Sequence, residues 1–282
     1  MQNYFHRVKK NFLKIYNNKF QFIIFSICII LSVFSLSKVF IYIFESYQSK
    51  DISNKIYTSV EVLYLEDTEE TIIIPQDTYI DESNIYWDYI KTEFIDVNIN
   101  SLKDINKDTV AWINVSGTNI NYPVVQNNDN DYYLKYSFNN IINSAGWIFL
   151  DYRNDLYMNN KNLIFYGHSR VDGTMFGTLK NIFNNDWLSN KENFLISLSF
   201  ESANSIWQVF SVYKVPVTND YLYIDFPSNN SYTEFLNLIY KRSEFDFETT
   251  VNYDDNIITL STCDGDYDRV VMHAKLIKID YK

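Results

Sequence analysis

Cys263 and His168 are the residues of this sequence best suited to covalent chemistry. Cys263 ends a run of β-forming residues in TLSTCDGDYDR (259–269), and an acidic turn then leads to Arg269. His168 ends a second such run in NLIFYGHSR (162–170). A thiol acts as a nucleophile at neutral pH when a base or a cation lies nearby, and histidine is the usual partner. The two residues predict nucleophilic catalysis by a cysteine.

The small number of cysteines and histidines restricts the choice of partners. Cys28 is the only other cysteine and lies in an apolar N-terminal segment, so an intramolecular disulfide with Cys263 is not expected. Of the three histidines, His6 precedes that segment. His273 stays open as an alternative base, although a structural or solvated histidine is common within a strand. For His168 the alternative is a turn histidine that bonds local backbone.

Eight short runs rich in β-branched and aromatic residues must position these side chains. Turns of Asn, Asp, Gly and Ser separate the runs, as is typical of strands. They read TVAWINV, NYPVV, GWIFL, NLIFY, NFLISLSF, SIWQVFSVYKV, NIITLST and VVMHAKLIKI. In the last run, alternation puts Val270, Met272, Ala274 and Leu276 on the core face. The pattern predicts a mostly β domain, either a barrel or a sandwich.

Two segments predict helices beside these strands. SYTEFLNLIYKR (231–242) begins with a candidate capping box, Ser231 to Glu234, and predicts a helix inserted between two late strands. Residues 81–97 have apolar side chains close to helical spacing and predict an amphipathic helix on the core, with further linker as the alternative.

An apolar segment near the N-terminus divides the chain. Lys38 is the only charged residue in 20–44, and 25 residues at about 1.5 Å each span a hydrocarbon core of ~30 Å. The segment before it carries several basic side chains and no acidic one, so the positive-inside rule predicts that residues 1–19 stay in the cytoplasm. A cleaved signal is the alternative, but no A-x-A-like site follows. We expect 45–80 to be an extracellular stalk and 81–282 a catalytic domain.

The charge balance excludes nucleic acid as a partner of the exported part. Six of the 24 basic residues precede position 45, which leaves 18 against all 35 acidic residues. A nucleic-acid-binding domain needs a basic surface to neutralise phosphates. No metal site is predicted either, because the two later histidines are far apart in sequence and the DND and DGD clusters are typical of turns.

Several motifs resemble those of one enzyme family. NLIFYGHSRVDGTMFGTLKNIF and TLSTCDGDYDRVVMHAKL resemble the histidine and cysteine motifs of sortases, while GTNINYPVVQNNDNDYYL and GWIFLDYRND resemble the class B members. The similarity extends from about Val110 to the end of the sequence. It implies an eight-stranded sortase barrel in a cysteine transpeptidase of the Gram-positive cell surface that needs no cofactor. The implied partners are sorting-signal peptides of secreted surface proteins, the amine of a peptidoglycan precursor, and the membrane through the N-terminal helix.

The resemblance also implies a role for each site residue. Cys263 would form the thioester, His168 would be the general acid and base, and Arg269 would position the substrate and stabilise the oxyanion. Five residues separate Cys263 from Arg269, a shorter loop than class B sortases have. By the same motif matching, five residues would bind the sorting signal: Asn130, Leu134, Tyr221, Leu222 and Ser261.

Three other functions compete with this interpretation. A pilus-type sortase would share the chemistry, although many of those carry a membrane segment at the other end of the chain. A papain-like wall hydrolase would place its cysteine at a helix start before the histidine, whereas Cys263 ends a strand and comes last. A catalytically inactive surface module could bind peptide without turnover.

Overall fold

The computed structural model describes residues 19–74, 84–157, 159–264 and 267–282, with the backbone alone for Cys263 and Asp264. The strands are β1 (Val62–Leu65), β2 (Ile72–Ile73), β3 (Phe94–Val97), β4 (Thr109–Val115), β5 (Asn121–Val125), β6 (Phe149–Leu150), β7 (Asn162–Tyr166), β8 (Leu195–Phe200), β9 (Ala203–Pro216), β10 (Ile257–Asp264) and β11 (Asp268–Tyr281). The α-helices are α1 (Lys19–Ser59), α2 (Tyr86–Tyr89), α3 (Ile99–Lys103), α4 (Asn185–Leu188) and α5 (Asn229–Arg242).

Eight strands close into a barrel, which confirms the predicted fold class. Their order is β10, β7, β6, β5, β4, β8, β9 and β11, and β11 pairs with β10 to close the sheet. Each of the eight runs read from the sequence contributes one strand. Buried aromatic and aliphatic residues form one main core, among them Trp112, Trp207 and Phe165. Burial of this apolar surface is the main favourable contribution to folding.

The two faces of β11 divide as strand alternation predicts. Val270, Met272, Ala274 and Leu276 belong to the main core. Val271 belongs to a second apolar cluster beneath α5. The barrel wall is therefore covered on this side by the inserted helix.

Helix α5 lies between β9 and β10, as predicted, but it begins earlier than the sequence pattern indicates. Its N-cap is Ser228, whose Oγ accepts from the backbone N–H of Ser231 at 3.2 Å. The Ser231 Oγ in turn accepts from the Ser228 N–H at 3.2 Å. The prediction of a capping box at Ser231 and Glu234 is therefore wrong by one turn. In the structure Ser231 occupies the third helical position, where its hydroxyl takes the place of the usual Glu or Gln side chain.

The predicted helix over 81–97 is largely replaced by other structure. Within residues 84–97, which the structure describes, only α2 is helical. Residues 81–83 lie outside the described residues. Phe94, Ile95 and Val97 are buried and form β3, which pairs antiparallel with β1. The spacing of apolar residues fits a helix, but pairing with a strand thirty residues earlier outweighs that local preference.

Contacts divide the chain into a unit that ends at Tyr47 and a unit from Gln48 to Lys282. In the first unit, α1 is long and apolar enough to cross a membrane by length and composition. In the second, the last turns of the helix bury Ile52 and Ile56 in the core.

The structure differs from the expected stalk over residues 48–74. Strand β2 pairs with β11, and Asp67 forms an ion pair with the fully buried ammonium of Lys278. Thr71 donates to the carboxylate of Asp280 at 3.0 Å. Buried charges require such partners. The polar segment is therefore held against the barrel, while residues 75–80 lie outside the described residues.

Candidate active site

The pairing of β7 with β10 brings the positions of His168 and Cys263 together. The two strands are parallel, and the last recorded pair is Tyr166 opposite Ser261. His168 and Cys263 each lie two residues beyond that pair, so continuation of the same register puts the two positions side by side. Adjacent strands are about 5 Å apart. Residues far apart in sequence thus meet at one end of the barrel.

The register of β10 with β11 accounts for the short loop before Arg269. The strands form a hairpin in which Arg269 is directly opposite Cys263. Residues opposite each other in an antiparallel pair lie on the same face of the sheet. The Arg269 side chain is partly exposed, and its Nη1 donates to the backbone carbonyl of Asp268 at 3.0 Å. The loop is short because the strands pair up to the turn.

The His168 ring is held by a distant part of the chain. Its Nε2 lies 2.9 Å from the backbone carbonyl of Leu134, so Nε2–H must be the donor. In the neutral ring Nδ1 is then the free acceptor. Leu134 is 34 residues away, so this contact is not the local backbone bond of an ordinary turn histidine.

Gly146 permits the close approach of backbone to this ring. Its φ is +57°, a left-handed conformation that glycine adopts without strain. A Cβ built there would lie 2.3 Å from the Tyr133 carbonyl oxygen and 3.1 Å from Cδ2 of His168. A larger residue would displace the turn that holds the imidazole.

A pocket of about 340 Å³ opens beside His168. Seven of the eight predicted site residues line it: His168, Arg269, Asn130, Leu134, Tyr221, Leu222 and Ser261. The eighth, Cys263, is described by its backbone alone. Tyr166, Thr218 and Asn219 complete much of the polar lining. Apolar and hydrogen-bonding groups therefore share one cleft, as is typical of ligand-binding pockets.

The segment 217–228, between β9 and α5, forms one wall of this pocket. Tyr221 is buried, and its hydroxyl is 2.9 Å from the Ser261 Oγ. Leu222, the next residue, is partly exposed and lines the cleft. A side chain of this segment is thus bonded to β10, the strand that contains Cys263.

Asp151 is a buried carboxylate at the pocket that the sequence analysis did not single out. Burial alone would raise its pKa, but hydrogen bonds from Arg153 and then Tyr166 hold the pKa below its usual range. Asp151 and Arg153 lie within the motif GWIFLDYRND, and Tyr166 lies within NLIFYGH. An aspartate and an arginine directly after a strand were the available signal.

His273 is a structural histidine that does not line the pocket. It is fully buried, with Nδ1 2.9 Å from the Thr259 Oγ1 and Nε2 2.8 Å from the Tyr213 hydroxyl. The Thr259 hydroxyl donates to Asn162, so Nδ1 carries the hydrogen and Nε2 accepts. Burial, followed by the positive charge of Arg242, lowers the pKa of His273 to about 3. The alternative in which His273 serves as the base is therefore not supported.

This buried histidine predicts an acid-sensitive stability. The unfolded chain protonates His273 near pH 6.5 and the folded protein only near pH 3, so stability falls as the pH drops between these values. The slope from this one group is at most about 1.4 kcal/mol per pH unit. Urea unfolding at pH 7, 6 and 5 should show that His273→Gln, although less stable at pH 7, loses less with falling pH. Equal slopes in both proteins would contradict the assignment.

Comparisons of the sequence and of the structure with known proteins both give the sortase family. The Sortase domain model matches residues 113–277. Sortase B of Listeria monocytogenes is 37% identical over 187 residues, which cover 64% of this chain and 74% of that protein.

Solved structures of sortase B are similar to this chain in fold and in sequence. A Staphylococcus aureus sortase B–substrate complex is 36% identical, covers 64% of this chain and 84% of its own, and superposes with a TM-score of 0.60. A sortase B complexed with triglycine is 37% identical over 64% of this chain and 85% of its own, also with a TM-score of 0.60.

Proposed function

The chain belongs to the sortase family and is a class B-like cysteine transpeptidase, and we propose that it is anchored in the plasma membrane and joins secreted proteins to the cell wall. In this proposal the barrel faces the outside of the cell. It cleaves the C-terminal sorting signal of a surface protein and transfers the acyl chain to an amine of a peptidoglycan precursor.

Acylation is assigned to Cys263 and His168. The thiol proton passes to the imidazole, and the sulfur attacks the carbonyl carbon of the sorting signal. The imidazolium then gives its proton to the leaving nitrogen as the C–N bond breaks. The products are a thioester on Cys263 and the released C-terminal part of the signal.

The second half of the reaction reverses these roles. An amine of the wall precursor attacks the thioester carbonyl, and His168 takes a proton from the attacking nitrogen. The sulfur leaves as a thiolate and is reprotonated by the imidazolium. One peptide bond is exchanged for another, so the reaction needs no oxidant and no cofactor.

Arg269 is proposed to stabilise the oxyanion that forms in both steps. A guanidinium carries five N–H donors in a fixed plane, and one of those of Arg269 is engaged by the Asp268 carbonyl. The remaining donors suit the charge that develops on the carbonyl oxygen. The position of Arg269 opposite Cys263 in the hairpin supports this role.

One observation carries the assignment of the catalytic pair. The parallel register of β7 and β10 ends at Tyr166 and Ser261, and its extension by two residues supports the proposal that His168 and Cys263 are neighbours. Two independent patterns in the sequence thus converge at a single end of the barrel. The adjacent pocket, with predicted residues on several walls, supports binding of the sorting signal there.

The substrate classes are inferred from the pocket and from the relatives. One related structure is named as a substrate complex and another as a complex with triglycine. By analogy, Asn130, Leu134, Tyr221, Leu222 and Ser261 are proposed to contact the sorting signal, and an unprotonated amine to enter on the His168 side. For the anchor, residues 20–44 of α1 are proposed to cross the membrane, with 1–19 in the cytoplasm.

Trapping of the acyl-enzyme tests this function. The full-length protein in detergent micelles is incubated with a small library of sorting-signal peptides, with and without triglycine, and followed by intact-mass spectrometry. We expect a peptide adduct that maps to Cys263 without the amine, and a ligated peptide when the amine is present. Binding of peptides with neither adduct nor ligated product would instead identify a surface binding module.

A further inference from the structure

Asp151 is the centre of a hydrogen-bond network at the pocket. Its carboxylate is fully buried. Oδ1 accepts from the backbone N–H of Arg153 at 3.0 Å and from Nε of the same residue at 2.8 Å. Oδ2 accepts from Arg153 Nη2 at 2.7 Å, the Tyr166 hydroxyl at 2.9 Å and Asn130 Nδ2 at 3.0 Å. Because all five partners are donors, the network requires a charged carboxylate.

Two of these donors belong to the wall of the pocket that carries His168. Tyr166 is the last residue of β7, two positions before His168. Asn130 lies in the turn that leads to Leu134, whose carbonyl accepts the His168 Nε2–H. Asp151 therefore holds both the strand that presents the imidazole and the turn that orients it.

A sixth hydrogen bond, donated by Arg153, reaches the opposite wall of the pocket. Arg153 Nη2 donates to the Leu222 backbone carbonyl at 3.1 Å while it also binds Asp151. Segment 217–228 has other attachments of a different kind: Asn162 holds the Tyr223 carbonyl at 2.8 Å, and Arg242 of α5 pairs with Asp220. Those contacts tie the segment to the first residue of β7 and to a helix, whereas Arg153 ties it to the carboxylate behind His168.

We propose that Asp151 and Arg153 are positioning residues for transpeptidation, which set the separation between the Leu222 wall and the His168 wall of the pocket. The inference rests on the proposed function and deepens it. Neither residue touches the reacting atoms. The pair fixes the wall against which the sorting signal lies, so loss of this preorganised contact should weaken binding of the peptide and leave the reacting groups unchanged.

The planar geometry of arginine is essential to this role. A guanidinium can hold both carboxylate oxygens and still donate to a carbonyl, whereas an ammonium acts as a point charge without fixed directions. Substitution by lysine should therefore keep the ion pair with Asp151 but loosen the contact with Leu222. Substitution by glutamine should remove both.

The test compares Arg153→Gln, Arg153→Lys and wild type by peptide-cleavage kinetics at a temperature where all are folded. We expect KM for the sorting peptide to rise about tenfold or more in Arg153→Gln and by an intermediate factor in Arg153→Lys, with kcat within about threefold of wild type. The rate of Cys263 alkylation by iodoacetamide should stay within about twofold in both variants, because it does not require the peptide pocket.

His273→Gln is the matched control, since it weakens a buried hydrogen-bond network away from the pocket lining. A role of Arg153 in stability alone would lower the melting temperature, as in the control, and leave KM unchanged. KM within twofold of wild type in folded Arg153→Gln, or in Arg153→Lys if the glutamine variant does not fold, would overturn the proposal. Absence of turnover in the wild-type protein with every peptide would contradict the proposed function instead.

Discussion

Cys263→Ala is expected to lower kcat/KM for sorting-peptide cleavage by roughly 10⁴-fold or more. The substitution removes the sulfur that forms the thioester, so neither half of the reaction can proceed by the covalent route. Position 263 lies in β10 directly opposite Arg269 of β11, and alanine fits the same extended backbone. We therefore expect the variant to stay folded and to retain peptide binding, which fluorescence polarisation with a labelled sorting peptide would measure.

Cys28→Ala supplies the control for this experiment. Cys28 is the only other cysteine of the chain and lies in α1, in the unit that ends at Tyr47. Its loss should leave kcat/KM unchanged. Residual turnover of Cys263→Ala within tenfold of wild type, or an adduct on Cys28, would show that the nucleophile has been assigned to the wrong residue.

His168→Gln is expected to lower kcat/KM by roughly 10²- to 10⁴-fold, the usual contribution of a positioned general acid and base. Glutamine can still donate to the Leu134 carbonyl that now binds Nε2, but it cannot carry a proton between the thiol and the leaving nitrogen. The loss should therefore appear mainly in kcat. Steady-state cleavage kinetics with a quenched fluorescent peptide would measure both parameters.

The second described histidine provides a matched comparison. His273→Gln replaces a fully buried imidazole and should reduce stability while leaving kcat nearly unchanged in the folded protein. The two variants thus separate loss of chemistry from loss of structure. A fall in kcat of less than tenfold in His168→Gln would indicate that another group moves the proton.

Local sequence patterns were sufficient to predict the strands, because alternation and composition report directly on the two faces of a sheet. Val270, Met272, Ala274 and Leu276 reach the core as their spacing predicts. The parallel pairing of β7 with β10 could not be predicted from spacing, since it joins segments ninety-five positions apart and depends on the closed barrel. The motif resemblance predicts His168 and Cys263 as partners, and the register of β7 with β10 gives a physical argument for that prediction.

Predictions failed where a distant partner decided the local structure. Phe94–Val97 forms a strand because β1 pairs with it. The segment 48–74 packs against the barrel because Asp67 pairs with Lys278 and Thr71 donates to Asp280. Asp151 was missed for a similar reason. An aspartate after a strand is common, and only the three-dimensional arrangement brings Arg153, Tyr166 and Asn130 around it.

The closure of the barrel by β11 has a consequence for biogenesis. β11 is the last strand along the chain, yet it bonds to β9, β10 and β2 and so completes the sheet. The other seven strands of the barrel therefore lack their closing partner until β11 has been synthesised. Until β11 pairs, the open seam exposes unpaired backbone on β9 and β10, a feature that promotes aggregation.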